Sequence, residues 1–374
     1  MKSEPNAALV LEDGTVFSGI GFGAAEKVSG EVVFNTGMVG YTEALTDPSY
    51  RGQILTFTYP LIGNYGVPPY GDPDQIPLSF ESREIQTLGA IVHDLCEEPS
   101  HWSSSRNVAR WFRDAGIPGI TSIDTRTLTI KLRSEGVMMG ILEVSENEID
   151  IEGLRKESRT SKPYGNVDLV REVTPKSPRR YGSGDELVVL LDYGAKYGII
   201  RNLLERNLSI VDLPYDSGVE EILSYHPSGV VISNGPGDPK ACSATFPVIR
   251  EIIDSNMPTL GICLGMQLIA LALGGDTFKL RFGHRGQNKP CVEAPDGQSY
   301  VTSQNHGYAV DESSLGETGL KTWFLNADDK TLEGVRHKEK ACIAVQFHPE
   351  ASPGPYDTGF VFDRFIDMIR RPAT

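Results

Sequence analysis

The strongest constraint on this chain lies in its second half, where continuous apolar runs alternate with helical patterns. Residues 187–191 (LVVLL), 208–213 (LSIVDL), 229–233 (GVVIS) and 259–262 (TLGI) are short and almost wholly apolar, the mark of strands buried on both faces. Between them, 197–206, 219–224 and 246–255 carry helical spacing, and the pattern at 264–273 ends at Gly274-Gly275, a good helix stop. Strands alternating with helices predict a mostly parallel sheet flanked by helices, an α/β architecture. In such sheets ligands bind beyond the carboxyl ends of the strands. The residues directly after each strand are therefore where chemistry is to be sought.

The strand at 259–262 runs into Gly261-Ile262-Cys263-Leu264-Gly265. A sharp strand-to-helix elbow needs small residues two before and two after its central side chain, because backbones crowd there. Such an elbow would project the Cys263 sulfur out of the sheet, at a helix amino end whose dipole favours a thiolate. The Leu264 N–H would be one oxyanion donor. Taken alone, the pattern fits a buried cysteine in a glycine-bearing turn equally well. The strand at 229–233 is followed by Asn234-Gly235-Pro236-Gly237-Asp238-Pro239, a rigid loop with exposed backbone that suits a second oxyanion donor. Alone, an ordinary connecting loop is the simpler reading. An apolar strand at 343–347 leads into His348-Pro349-Glu350. On an extended backbone residues two apart share a face, so Glu350 can orient the His348 ring, and that imidazole can activate a cysteine. His306, in SQNHGY at 303–308, is the one close rival; His93, His101, His226, His284 and His337 read as surface or core histidines.

The first half reads as β-rich, with strands at 8–11, 16–17, 31–34 and 53–57, the first two joined by an Asp13-Gly14 hairpin signal. A basic helix is expected at 121–135, stopped by Gly136. Residues 172–186 (EVTPKSPRRYGSGDE) have linker composition, which divides the chain into 1–182 and 183–374.

A net charge of −15 and an isoelectric point near 5.0 argue against nucleic acid or an anionic membrane as partner. No apolar run approaches the ~20 residues of a membrane span, and the opening MKSEPNAALVLEDG has no apolar leader core, so a cytoplasmic location is expected. Five scattered cysteines without a CxxC suggest thiols in a reducing compartment. No phosphate-binding loop and no metal-ligand spacing is present, so no cofactor is expected on this chain.

Four segments in order, SNGPGDP (233–239), GICLGMQ (261–267), SQNHGYAV (303–310) and QFHPE (346–350), resemble the triad-type class I glutamine amidotransferases. In the first half, GEVVFNTGMVGYTEALTDPSYRGQIL (30–55), YPLIGNYG (59–66) and GITSIDTRTLTIKLRSEG (119–136) resemble the small, glutamine-hydrolysing subunit of carbamoyl-phosphate synthetases, so the resemblance spans nearly the whole chain. It implies a β-rich α/β amino-terminal domain that docks on a large subunit, followed by a class I glutamine amidotransferase domain.

The resemblance also implies roles. Cys263 is the nucleophile, His348 the base and acid, and Glu350 its orienter; glutamine contacts fall on Ser49, Gly235, Gly237, Leu264, Gln267, Asn305, Gly307 and Tyr308. The family usually has Phe where this chain has Tyr308, a change that matters little if the contact is made by backbone. ATP, Mg²⁺ and bicarbonate would be used by the large subunit, which would receive ammonia and make carbamoyl phosphate for pyrimidine or arginine synthesis. The alternatives are another class I amidotransferase, a γ-glutamyl hydrolase, or a catalytically silent docking subunit.

Overall fold

The computed structural model describes residues 6–72, 75–294 and 297–370; residues 1–5, on which the leader reading partly rests, lie outside them. The chain divides into two compact units, 1–166 and 167–374.

The first unit is built on a seven-stranded closed barrel. Its strands are β1 (Asn6–Leu11), β2 (Val16–Gly23), β3 (Lys27–Asn35) and β4 (Gln53–Phe57). A two-residue β5 (Leu61–Ile62) precedes β6 (Gly89–Ile91), β7 (Asp94–Leu95), β8 (Pro118–Thr121) and β9 (Met138–Ser145). The barrel order is β1-β2-β8-β6-β4-β3-β9, closed by antiparallel pairing of β9 with β1, while β5 and β7 pair separately. The expected helix at 121–135 is shorter, Thr125–Glu135, because residues 118–121 form β8 and the Asp124 side chain caps the helix by accepting from the Thr127 N–H at 2.9 Å. Gly136 terminates it with φ 108.

The second unit holds a ten-stranded sheet. Its strands are β10 (Arg179–Tyr181), β11 (Glu186–Asp192), β12 (Leu208–Pro214), β13 (Gly229–Ile232), β14 (Thr259–Ile262), β15 (Thr277–Glu293), β16 (Ser299–Val310), β17 (Leu320–Asn326), β18 (Leu332–His337) and β19 (Cys342–Val345). The order is β10-β12-β11-β13-β14-β19-β18-β17-β15-β16. The central strands β12, β11, β13, β14 and β19 are parallel, as the apolar runs predict, and their side chains form the core with Ile249, Ile253, Leu268 and Ile269 from the covering helices. The antiparallel wing β18-β17-β15-β16 was not anticipated from the sequence. Its strands alternate polar and apolar residues and carry register shifts, so no continuous apolar run announces them.

The boundary falls at 166/167, not at 182/183. The expected linker at 172–186 is tied into the second unit. The Thr174 hydroxyl donates to the Asp192 carbonyl at 2.7 Å and accepts from the Tyr215 N–H at 3.1 Å, and β10 pairs antiparallel with β12. A Pro/Gly/Ser-rich segment whose polar groups find side-chain and edge-strand partners has the same composition as a free linker. Among the described residues no helix is long and apolar enough to cross a membrane.

Candidate active site

Three carboxyl-terminal strand ends of the parallel core meet at one point. From β14 the chain turns directly into the helix Leu264–Ala272, and Cys263 is the hinge, at φ 54 and ψ −103. A non-glycine residue in that region costs about 1–3 kcal/mol and persists only where its surroundings over-determine it. Here they do. The Cys263 N–H donates to the Val345 carbonyl of β19 at 2.8 Å, and the Cys263 carbonyl accepts from the Met266 N–H at 3.1 Å. A side chain at Gly265 would collide with the Ile232 carbonyl oxygen, and a Cβ at Gly261 would lie 2.6 Å from Ile269 Cδ1. Gly265 is therefore imposed by packing of the elbow onto β13, and Gly261 by the fold-back of the helix onto its own strand.

The loop after β13 comes alongside. A Cβ on Gly235 would strike the Tyr193 carbonyl and lie 2.9 Å from Leu264 Cδ2, so this backbone passes close to the first residue of the helix. Gly237 follows with φ 90. The Leu264 and Gly265 N–H groups head the helix, where no intrahelical acceptor exists for them.

Around the sulfur the contacts are specific. The Cys263 thiol, 2% exposed, donates to the Asn305 carbonyl at 3.7 Å and accepts from Gln346 Nε2 at 3.6 Å. The Gln267 amide donates to the Tyr308 carbonyl at 2.9 Å and to Gln346 Oε1 at 3.0 Å, closing a chain of amides beneath the thiol. Gly307 sits at a register shift between β15 and β16. Tyr308 is 9% exposed.

His348 is held by its N–H, which donates to the Ser303 carbonyl at 2.9 Å, and by Nδ1, 2.6 Å from Glu350 Oε1. Nε2 is buried on the side of the ring away from Glu350, and the Cys263 thiol adds to Glu350 in raising the ring's basicity. Glu350 does not reach the ring through strand alternation, as the sequence suggests. β19 ends at Val345, and residues 348–351 form a turn in which the Ala351 N–H donates to the His348 carbonyl at 3.1 Å.

One further group completes the array. Lys196, just beyond β11 and 3% exposed, places Nζ 3.0 Å from Glu350 Oε1 and 2.9 Å from the Ala351 carbonyl. Burial opposes charge on both members of the His–Glu pair. Even so, Glu350 and the Cys263 thiol together carry the His348 ring up to about 10, while Lys196 and His348 together hold the Glu350 carboxyl down at about 2. Lys196 neutralises Glu350, which leaves imidazole and thiol free to exchange one proton between them without a net buried charge.

The comparisons with known proteins bear on this arrangement. The carbamoyl phosphate synthase small chain of Methanopyrus kandleri is 45% identical over 366 residues, covering 97% of this chain and 99% of that relative. The chain belongs to the carbamoyl phosphate synthase small chain family. The small chains of Archaeoglobus fulgidus and Listeria innocua are each 46% identical, covering 97% and 96% of this chain and 99% and 96% of their own lengths. The family description "Carbamoyl-phosphate synthase small chain, CPSase domain" matches residues 9–142, and "Glutamine amidotransferase class-I" matches 189–368. Among solved structures, a glutamine amidotransferase from Thermotoga maritima covers 50% of this chain and 84% of its own, at 20% identity and a TM-score of 0.35, too distant to add to the assignment.

Of the family's implied site residues, Cys263, His348, Glu350, Gly235, Gly237, Leu264, Gln267, Asn305, Gly307 and Tyr308 all lie in the second unit. Ser49 belongs to the first, buried in the turn Pro48–Tyr50 with its N–H donated to Asp47 at 2.9 Å. Sequence reasoning missed Lys196 and Gln346. Both were findable: Lys196 follows a buried strand, the place where site residues are expected, and Gln346 stands two residues before His348. His284, read from the sequence as a surface or core histidine, is in the core. It is buried against His306 and Glu333, residues 22 and 49 positions away in sequence that only the β15–β16 and β17–β18 pairings bring near.

Proposed function

We propose that this chain is the glutaminase subunit of a carbamoyl phosphate synthase, hydrolysing L-glutamine through a Cys-His-Glu triad. The observation that carries the reading is the strained Cys263 elbow facing a histidine whose other nitrogen is 2.6 Å from a buried carboxylate. His348 Nε2 takes the thiol proton as Sγ adds to the side-chain amide carbon of glutamine. The tetrahedral oxyanion is received by the Leu264 and Gly235 N–H groups. The imidazolium returns its proton to the leaving nitrogen, ammonia departs, and a glutamyl thioester remains on Cys263. Water, deprotonated by the same imidazole, then releases glutamate and restores the thiol.

Glutamine is held by Ser49, Gly235, Gly237, Leu264, Gln267, Asn305, Gly307 and Tyr308, as the family resemblance implies. Tyr308 has both carbonyl lone pairs occupied, by His306 Nδ1 and Gln267 Nε2, so that carbonyl is not offered to glutamine. The ammonia passes to a large subunit that uses bicarbonate and Mg²⁺-ATP to make carbamoyl phosphate; no ATP step is assigned to this chain. The reaction is assigned to the cytoplasm, consistent with five free cysteines.

The test is Cys263→Ser in the complex with the large subunit. Glutamine-dependent carbamoyl phosphate formation is expected to vanish while ammonia-dependent formation persists. Retained glutamine hydrolysis by Cys263→Ser would sink the assignment.

A further inference from the structure

Behind the strand that carries Asn305, the second unit assembles a second buried group of ionisable side chains, His284, His306 and Glu333. His284 and His306 lie directly opposite on β15 and β16, with ring centroids 4.9 Å apart, and Glu333 comes from β18. They are 6%, 4% and 0% exposed. His284 Nδ1 is 3.5 Å and His306 Nε2 3.6 Å from Glu333 Oε1, and one ligand atom from each residue lies within 4.8 Å of the others. These edges leave a point roughly 2.0–2.4 Å from all three atoms, which brackets the ~2.0–2.2 Å of Zn–N and Zn–O bonds.

Hydrogen bonding shows which atoms face that point. His306 Nδ1 is 2.8 Å from the Tyr308 carbonyl, which can only accept, so the proton is on Nδ1 and Nε2 offers a lone pair. His284 Nε2 is 2.9 Å from the Asp329 carboxylate, which likewise places a proton there and turns Nδ1 inward. Asn326 Nδ2 donates to Glu333 Oε1 at 3.2 Å. His284 Nδ1, His306 Nε2 and Glu333 Oε2 are all buried without a hydrogen-bond partner. Each imidazole thus has an outer partner that fixes its orientation, a carboxylate and a backbone carbonyl in turn, and the Asn326 amide holds Glu333 by the oxygen that faces the rings; such support is how metal-ligating side chains are oriented.

We propose that His284, His306 and Glu333 form a binding site for one divalent transition-metal ion of the Zn²⁺ type. Two imidazoles and one carboxylate suit Zn²⁺ or Co²⁺ and disfavour Mg²⁺ and Ca²⁺, which prefer all-oxygen shells. The ion enters past Asp329, whose side chain is 44% exposed, and displaces any proton from the inward nitrogens. Its role is positional. It clasps the β15–β16 hairpin to β18, and so fixes β16 at Asn305, whose carbonyl receives the Cys263 thiol, and β18 where the Glu333 carbonyl accepts from the Gln346 N–H at 2.8 Å.

The test uses the full chain, stripped with a chelator and titrated with Co²⁺ under visible absorption and with Zn²⁺ in a calorimeter. One ion per chain is expected, with ligand-field bands of a nitrogen–oxygen site that Zn²⁺ bleaches. Glu333→Gln and His306→Ala should abolish it. Asp329→Asn, a change on a half-exposed side chain with circular dichroism run as the control for folding, should weaken binding by about 10–100-fold. Cys263→Ser should bind as wild type. The proposal is overturned if the wild-type chain shows no saturable binding of either ion. It is equally overturned if Cys263→Ser removes the binding, or if Glu333→Gln and Asp329→Asn leave it unchanged.

Discussion

Replacing Glu350 by Gln isolates the electrostatics of the triad without changing its shape. The amide is isosteric and can stay within hydrogen-bond reach of His348 Nδ1, now 2.6 Å from Glu350 Oε1. What it removes is the larger of the two neighbours, Glu350 and the Cys263 thiol, that hold the proton on the imidazole against burial and Lys196. With Glu350 present the ring titrates at about 10, against an ordinary 6.5; without it, burial and the Lys196 ammonium push downward and only the Cys263 thiol still pushes upward. The ring in Glu350→Gln should therefore titrate well below 10; a return to the ordinary 6.5 would be a fall of about 3.5 pH units, on the order of 5 kcal/mol. The effect on stability has a definite window. A histidine raised in the folded state stabilises fully below 6.5 and loses that contribution as pH climbs through about 10. A carboxylate depressed to about 2 stabilises fully above 4.5 and loses it as pH falls through 2. The stability difference between wild type and Glu350→Gln should thus be largest between pH 4.5 and 6.5 and shrink in both directions. Histidine-labelled NMR titrations give the ring's ionisation, and urea unfolding at a series of pH values gives the difference curve. If the His348 ring of the variant still titrates above about pH 8, or if the stability difference is flat from pH 5 to 9, the electrostatic account of the triad is wrong.

Three more outcomes are expected. Gly265→Ala places a methyl against the Ile232 carbonyl and should destabilise the second unit by about 1–3 kcal/mol while displacing Cys263; a variant with wild-type urea midpoint and glutaminase rate would show that the elbow tolerates a side chain. Gln346→Leu removes the amide that donates to Cys263 Sγ and should slow iodoacetamide alkylation of that sulfur by about tenfold or more, since a hydrogen bond to a charged group contributes about 1.5–3 kcal/mol; an unchanged rate would mean the contact does not act on the thiolate. Burial pushes the Cys242 and Cys342 thiols up to about 12 and raises Cys291 as well, so none of the three should be alkylated in the native protein at pH 8; mass spectrometry finding any of them modified before Cys263 would contradict the burial argument.

What the sequence alone determined follows local rules. Apolar runs of four to six residues predicted the parallel strands β11, β12, β13 and β14, because a strand covered on both faces has no polar positions to spare. The flanking glycines of Cys263 pointed to an elbow because the steric demand is met within five consecutive residues. The first unit's strands at 8–11, 31–34 and 53–57 were legible for the same reason, though nothing local told that seven strands would close into a barrel.

What only tertiary structure decided depends on partners distant along the chain. The segment 172–186 looked like a linker until Thr174 found the Asp192 carbonyl and β10 found β12. Lys196 gains its meaning from Glu350, 154 residues later, and the amide chain from Tyr308 through Gln267 to Gln346 joins three separate elements under one sulfur. His284, His306 and Glu333 share no spacing a pattern could reveal; strand pairing puts them within 4.8 Å. Sequence patterns record what a residue must avoid, such as a clash or a wet apolar face. Charge compensation in a dry interior is a property of pairs, and the pairs exist only once the sheet has folded.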